Sequence, residues 1–225
     1  LDPAARKIKE MADNMGIDMS GSPAYPSIAL GTAEASLLEM VSAYTTFANS
    51  GVHIEPLAVT RIEDKEGNIL VEYFPEYQQE VISPETAYIM VDMMRGVIRG
   101  GEGYNGTGVR LRNVYNIRQD VAGKTGTTQN SADNWFVAMT PHLVMGAWVG
   151  GEDRRIRFPE DTYIGQGARA ALPIVGTFMN LAMADPEAPW EYDGFQPPPG
   201  FIMPEEPRDT PAAIESDPTR GRIGW

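Results

Sequence analysis

Lys124-Thr125-Gly126-Thr127-Thr128 follows a short strand-like run, Asp120-Val121-Ala122-Gly123, and precedes a second, Trp135-Phe136-Val137-Ala138-Met139. A lysine, several hydroxyls and a glycine at the end of an edge strand suit a carboxylate lying beside a reacting carbonyl. The glycine lets a ligand backbone lie flat on the strand. The lysine contributes positive potential without bulk at the strand itself. The threonine hydroxyls can donate to a carboxylate. A backbone amide here, paired with that of a nucleophile, can stabilise the oxyanion of acyl transfer. Lys124, Thr125, Gly126, Thr127 and Thr128 are therefore the candidate substrate-binding residues.

The same letters resemble the end of a phosphate-binding loop, G-x-x-x-x-G-K-[ST]. That pattern needs glycine at position 118, which is Arg118, and a helix starting at the lysine. The polar stretch Thr127–Asp133 leads into a strand instead, so nucleotide binding is set aside.

Outward from the motif, the spacing predicts a chain of alternating helices and strands. Asp2-Pro3 caps a helix carrying Ala5, Ile8, Met11, Ala12 and Met15, which stops at Gly16. Residues 17–31 read as a loop. Thr32 is the expected cap of a second helix, with Leu37, Leu38, Val41, Tyr44 and Phe47 on its apolar face and a stop at Asn49-Ser50-Gly51. Leu57–Ile62 and Ile69–Tyr73 read as a hairpin around Asp64–Asn68. Ser83-Pro84-Glu85 opens a third helix that runs to Arg99. Residues 100–118 are glycine-rich and include Gly106-Thr107-Gly108. Such a loop can cradle phosphate, but a flexible surface turn is the preferred reading. Strands Trp135–Thr140 and Leu143–Val149 turn at Pro141-His142, and a last helix spans about 167–184.

The chain has 225 residues, no cysteine and a net charge of −13. Disulfides and cysteine zinc sites are excluded. No cluster of basic residues supplies a phosphate-backbone footprint, so nucleic acid is not an expected partner. No apolar run reaches the length of a membrane span. His53 and His142 are isolated, no acid cluster suggests a metal, and no cofactor is expected. Residues 185–225 hold nine acids against three arginines and many prolines. They read as a Pro-rich acidic tail, packing locally through Trp190, Tyr192 and Phe195, after a domain spanning 1–184.

Several separated segments extend the pattern. Ile28–Glu34 leads into Tyr44-x-x-Phe47-Ala48-Asn49-x-Gly51. Ala122–Thr128 is followed by Asp133-x-Trp135-Phe136 and Trp148-Val149-Gly150-Gly151, and Gly165-x-Gly167-x-Arg169-Ala170-x-x-Pro173 opens the last helix. Together these resemble the C-terminal half of the transpeptidase domain of a class A (bifunctional) penicillin-binding protein, in which Lys-Thr-Gly is one of three motifs. The resemblance covers about residues 20–185. It implies an α+β (α/β sandwich) fold, an antiparallel sheet flanked by helices like the serine β-lactamases, and incomplete here. The implied activity is serine D-Ala-D-Ala transpeptidation, which cross-links peptidoglycan stem peptides and is acylated by β-lactams. The implied setting is the extracytoplasmic face of the bacterial membrane, through an anchor outside this chain. Lys124 would bias the cleft and contact the serine of a Ser-x-Asn motif. Thr125 and Thr127 would hold the donor's terminal carboxylate, and the Thr127 N–H would supply half of the oxyanion hole. Thr128 would act at most indirectly.

The chain departs from the family at its nucleophile. Its serines are 20, 22, 27, 36, 42, 50, 83, 131 and 216; none has lysine three residues on or asparagine two on. The expectation is a fragment of a longer product, inert by itself and exposing apolar surface. The alternative is a non-catalytic peptidoglycan- or β-lactam-binding module. A β-lactamase ranks below both, for want of a deacylating base.

Overall fold

The computed structural model describes residues 2–75, 77–101, 105–159, 163–187 and 193–204. At its centre is an antiparallel sheet of three strands, β5 (Ala122–Thr127), β6 (Asp133–Met139) and β7 (Val144–Gly150), in the order β5-β6-β7. Lys124 pairs with Val137, Thr125 with Phe136, Gly126 with Trp135 and Thr127 with Asn134. The motif therefore lies on an edge strand of this sheet. Residues Phe136–Met139 are all buried, an unbroken apolar run that marks a strand covered on both faces. Phe136 and Ala138 pack with Leu172, Val175 and Met179 of helix α6 (Leu172–Ala184). Ala122 and Met139 face the other way, against Val91 and Met94 of α3 (Pro84–Arg99) and Tyr44 and Phe47 of α2 (Leu37–Ala48). This two-sided packing is the helix–sheet–helix architecture expected from the sequence.

Helix α1 (Pro3–Asn14) starts where Asp2 accepts the Ala4 N–H at 2.8 Å, and the chain leaves it through Gly16 at φ +85°. Helix α3 starts at Ser83, as read. Helix α2 does not start at Thr32. Ser36 caps it, and Glu39 three residues on reaches back to the Ser36 N–H at 2.7 Å. That reciprocal capping box satisfies two amides at once, and Thr32 has no equivalent partner. Residues 26–30, expected as loop, form a 3-10 turn.

The predicted hairpin is present but shorter, with β2 (Arg61–Glu63) paired to β3 (Ile69–Glu72). Asp64 closes it by accepting from the amides of Glu66 and Asn68 and from Asn68 Nδ2. Strand β1 (Val52–Ile54) pairs with β4 (Tyr77–Glu80), which local patterning did not reveal. The last helix divides into α5 (Gly167–Ala170) and α6, because Pro173 has no N–H to bond back into the preceding turn.

Residues 105–118 correct the surface-turn reading. They form a packed segment with a short helix, α4 (Arg110–Asn113), and bury Leu111 and Ile117 completely in the main core. Past α6, Phe195 is buried beside α3. Trp190 and Tyr192 lie outside the described residues.

Every residue of β2 and β3 is exposed, which leaves Ile62, Ile69, Leu70 and Val71 together at the surface of one hairpin. Contiguous exposed apolar residues mark interaction or aggregation surfaces. The isolated 225-residue chain is expected to bind an apolar dye such as anilinonaphthalene sulfonate and to self-associate. A monomeric gel-filtration peak with a sharp melting transition would contradict this.

Candidate active site

The five motif residues do not play one common part. Residues 123, 125 and 127 share the face of β5 that looks toward α5 and α6, with cross-strand partners Phe136 and Asn134. Lys124 and Gly126 share the opposite face with Val137 and Trp135. Thr127 Oγ1 accepts the backbone N–H of Gly167 at 3.0 Å. An amide can only donate, so the threonine keeps its own proton for another acceptor. Thr125 Oγ1 lies 2.7 Å from Thr107 Oγ1. Lys124 is exposed; its Nζ donates to the Thr125 carbonyl at 2.7 Å, and no carboxylate lies within ion-pair distance among the described residues. In a chain of net charge −13, the strand thus offers one cation and two oriented hydroxyls.

Thr128 is turned elsewhere. Its hydroxyl accepts the Asp133 N–H at 2.8 Å, and its own N–H donates to the Asp133 carbonyl at 3.0 Å. This ties off the turn between β5 and β6. Asp133 in turn accepts the Trp148 indole N–H at 3.1 Å, so the Asp-x-Trp segment holds the far end of the motif strand.

Two glycines make the close packing possible. A Cβ on Gly167 would sit 2.4 Å from the Trp135 carbonyl oxygen and 2.5 Å from that of Gly126. Only a bare Cα lets the start of α5 press on β5 and reach Thr127. A Cβ on Gly126 would lie 3.1 Å from Trp135 Cβ. Its smallness therefore serves the cross-strand tryptophan as well as any ligand.

The approach to β5 is held by charge. Asp120, two residues before the strand, accepts from Arg95 Nε at 3.0 Å, from Arg95 Nη2, from Arg99 Nη2 and from the Phe195 N–H at 3.1 Å. Burial raises the carboxyl's pKa, but hydrogen bonds and charge from Arg95, with the Phe195 amide and Arg99, hold it below the ordinary aspartate value. Arg95 also stacks over the Tyr88 and Phe195 rings. None of these partners was legible as a cluster in the sequence.

The histidines have local roles. His53 is buried, bonds Thr46 Oγ1 at 3.3 Å and titrates lower than usual because burial disfavours its charge. His142 bonds Asp193 at 2.8 Å. Among the described residues no three acids, histidines or cysteines are placed to hold a metal, and no helix is long and apolar enough to cross a membrane.

The profile described as "Penicillin binding protein transpeptidase domain" matches residues 14–149, which contain the whole of β5 and β6 and all but the last residue of β7. The chain belongs to this family. Penicillin-binding protein 1A of Aquifex aeolicus (strain VF5) is 32% identical across 93% of the chain, which spans 26% of that relative's length. The crystal structure of penicillin-binding protein 1A from Haemophilus influenzae superposes with a TM-score of 0.75 at 27% identity, over 86% of this chain and 32% of that one. The PonA1 protein of Mycobacterium tuberculosis, solved in complex with penicillin V, superposes at 0.59 and 26% identity, over 84% of this chain and 54% of that one. The fold is therefore that of the penicillin-binding transpeptidase domains, and the chain corresponds to part of such a domain.

Proposed function

We propose that this chain carries the carboxylate-binding half of a serine D-Ala-D-Ala transpeptidase site, the rest of which lies in a longer gene product. The observation that carries the reading is the motif strand itself. Thr127 and Thr125 present hydroxyls on one face of the edge strand β5, each with a protein hydroxyl or amide at its oxygen, and Lys124, next to Thr125 on the opposite face, has no carboxylate within ion-pair distance among the described residues. Membership of the transpeptidase family and the penicillin V complex of a similar protein support the same assignment. In this reading Thr125 and Thr127 hold the terminal carboxylate of a peptidoglycan stem peptide or of a β-lactam. The Thr127 N–H serves as one oxyanion donor. Lys124 adds positive potential and reaches the serine of a middle motif supplied by the remainder of the protein. Gly126 and Thr128 shape the strand end. The product acts outside the cytoplasmic membrane, anchored by a segment beyond this chain.

Acyl transfer needs a nucleophile activated by a base, and none of the serines here has the spacing for it. The isolated chain is therefore inert. Intact mass spectrometry tests both statements. The polypeptide made from the whole gene should exceed 24.6 kDa and gain one drug mass on exposure to benzylpenicillin, while the 225-residue chain should gain none. A native species of 24.6 kDa without adduct would instead establish a binding module.

A further inference from the structure

The structure assigns a further positioning residue to this site: Thr107, which donates its hydroxyl proton to Thr125 and thereby turns the Thr125 proton toward a bound carboxylate. The inference rests on the carboxylate-binding reading of β5 given above.

Thr107 belongs to Gly106-Thr107-Gly108, which no other part of the site uses. The segment is riveted to the last turns of α3. The Gly108 N–H donates to the Val97 carbonyl at 2.9 Å, while the Leu111 N–H donates to the Gly108 carbonyl at 3.0 Å within the segment itself. A Cβ on Gly106 would lie 2.2 Å from the Val97 carbonyl oxygen, and one on Gly108 would lie 2.7 Å from Ile98 Cδ1. Both glycines are buried while Thr107 between them is exposed. The same Ile98 Cδ1 would be 3.3 Å from a Cβ on Gly123, inside β5. One isoleucine therefore sets the loop and the strand against each other, and the hydroxyls of Thr107 and Thr125 meet at 2.7 Å.

Of two hydroxyls sharing one hydrogen bond, one donates and the other keeps a free proton. With an anion at Thr125, the arrangement that sends both protons in series toward the negative charge is favoured: Thr107 to Thr125, Thr125 to carboxylate. Each bond in such a chain polarises the next. Thr127 has the same arrangement, with the Gly167 amide in the place of Thr107.

The test uses the polypeptide of the whole gene and two ligands, benzylpenicillin and its methyl ester, followed as second-order acylation rates. Thr107→Val should lower the rate with the free acid by roughly three- to tenfold, the loss of one hydrogen bond, and leave the ester rate nearly unchanged. Thr107→Ser should restore the acid rate. Equal losses on both ligands, no loss on either, or failure of serine to restore the rate would overturn the role of Thr107. Thr125→Val separates this from the underlying reading. If that variant loses acid-selective acylation and Thr107→Val does not, only the relay falls. If the unaltered protein forms no adduct, or Thr125→Val is without effect on the acid, the carboxylate site falls as well.

Discussion

Thr127→Val, made in the polypeptide of the whole gene, is expected to slow acylation by benzylpenicillin by roughly ten- to a hundredfold, the range for removing a hydrogen bond to a charged group. Thr128→Val is expected to stay within about threefold of the unaltered protein, as for a neutral hydrogen bond away from the ligand. The two residues are adjacent and chemically identical, so the contrast isolates position. Thr127 Oγ1 receives the Gly167 amide at 3.0 Å and keeps a proton to give. Thr128 Oγ1 receives the Asp133 amide at 2.8 Å and serves the turn. Valine matches threonine in shape, so losses in packing are small in both variants. Stopped-flow acylation rates decide the matter: equal rates for the two variants would remove Thr127 from the site.

Asp120→Asn is expected to be the most damaging single change to stability outside the main core. Arg95 and Asp120 have side chains only 8% and 15% exposed. Removing the Asp120 charge leaves this buried guanidinium with only the more exposed Asp92, at 3.3 Å, as counter-ion, and breaking a buried pair costs about 3–5 kcal/mol. The double change Arg95→Met with Asp120→Leu should recover much of that loss, because the charges left without a partner, Arg99 and Asp92, are exposed to solvent rather than buried. The pH dependence follows from the carboxyl alone. Its folded-state pKa is lowered, so its stabilisation is complete above the unfolded value of about 3.9 and disappears as pH falls from there through the folded value. Arg95 titrates far above that window and contributes nothing to it. Melting temperatures of the unaltered whole-gene protein should therefore fall below pH of about 4 more steeply than those of Asp120→Asn. Parallel curves for the two proteins would show that this carboxyl carries no such linkage.

The elements that could be read from the sequence are those whose cause is local. Helix α3 begins at Ser83 and ends at Gly100 because capping and left-handed backbone act within one turn. The start of α2 is ambiguous in the sequence because Thr32 and Ser36 are both good caps, and Glu39 decides between them. The β1–β4 pair is not legible in the sequence because its strands are three and four residues long and are joined across more than twenty residues. Within the site, the motif letters identified the strand. They could not show that Thr127 bonds Gly167, 40 residues away, or that Thr128 turns to Asp133. In the sequence the glycines around Thr107 look like flexibility and favour a surface turn; in the fold they are the residues small enough to lie on α3.

By itself, then, the sequence determined that this protein is an acidic α+β chain with a Lys-Thr-Gly strand and no Ser-x-x-Lys or Ser-x-Asn spacing, since composition and local spacing are properties of the chain. Only the tertiary structure decided which hydroxyls of that strand are oriented and by what. That depends on Gly167, Thr107 and Asp133, which the packing of helices, loop and turn brings against β5, and hydrogen-bond direction is set by neighbours in space.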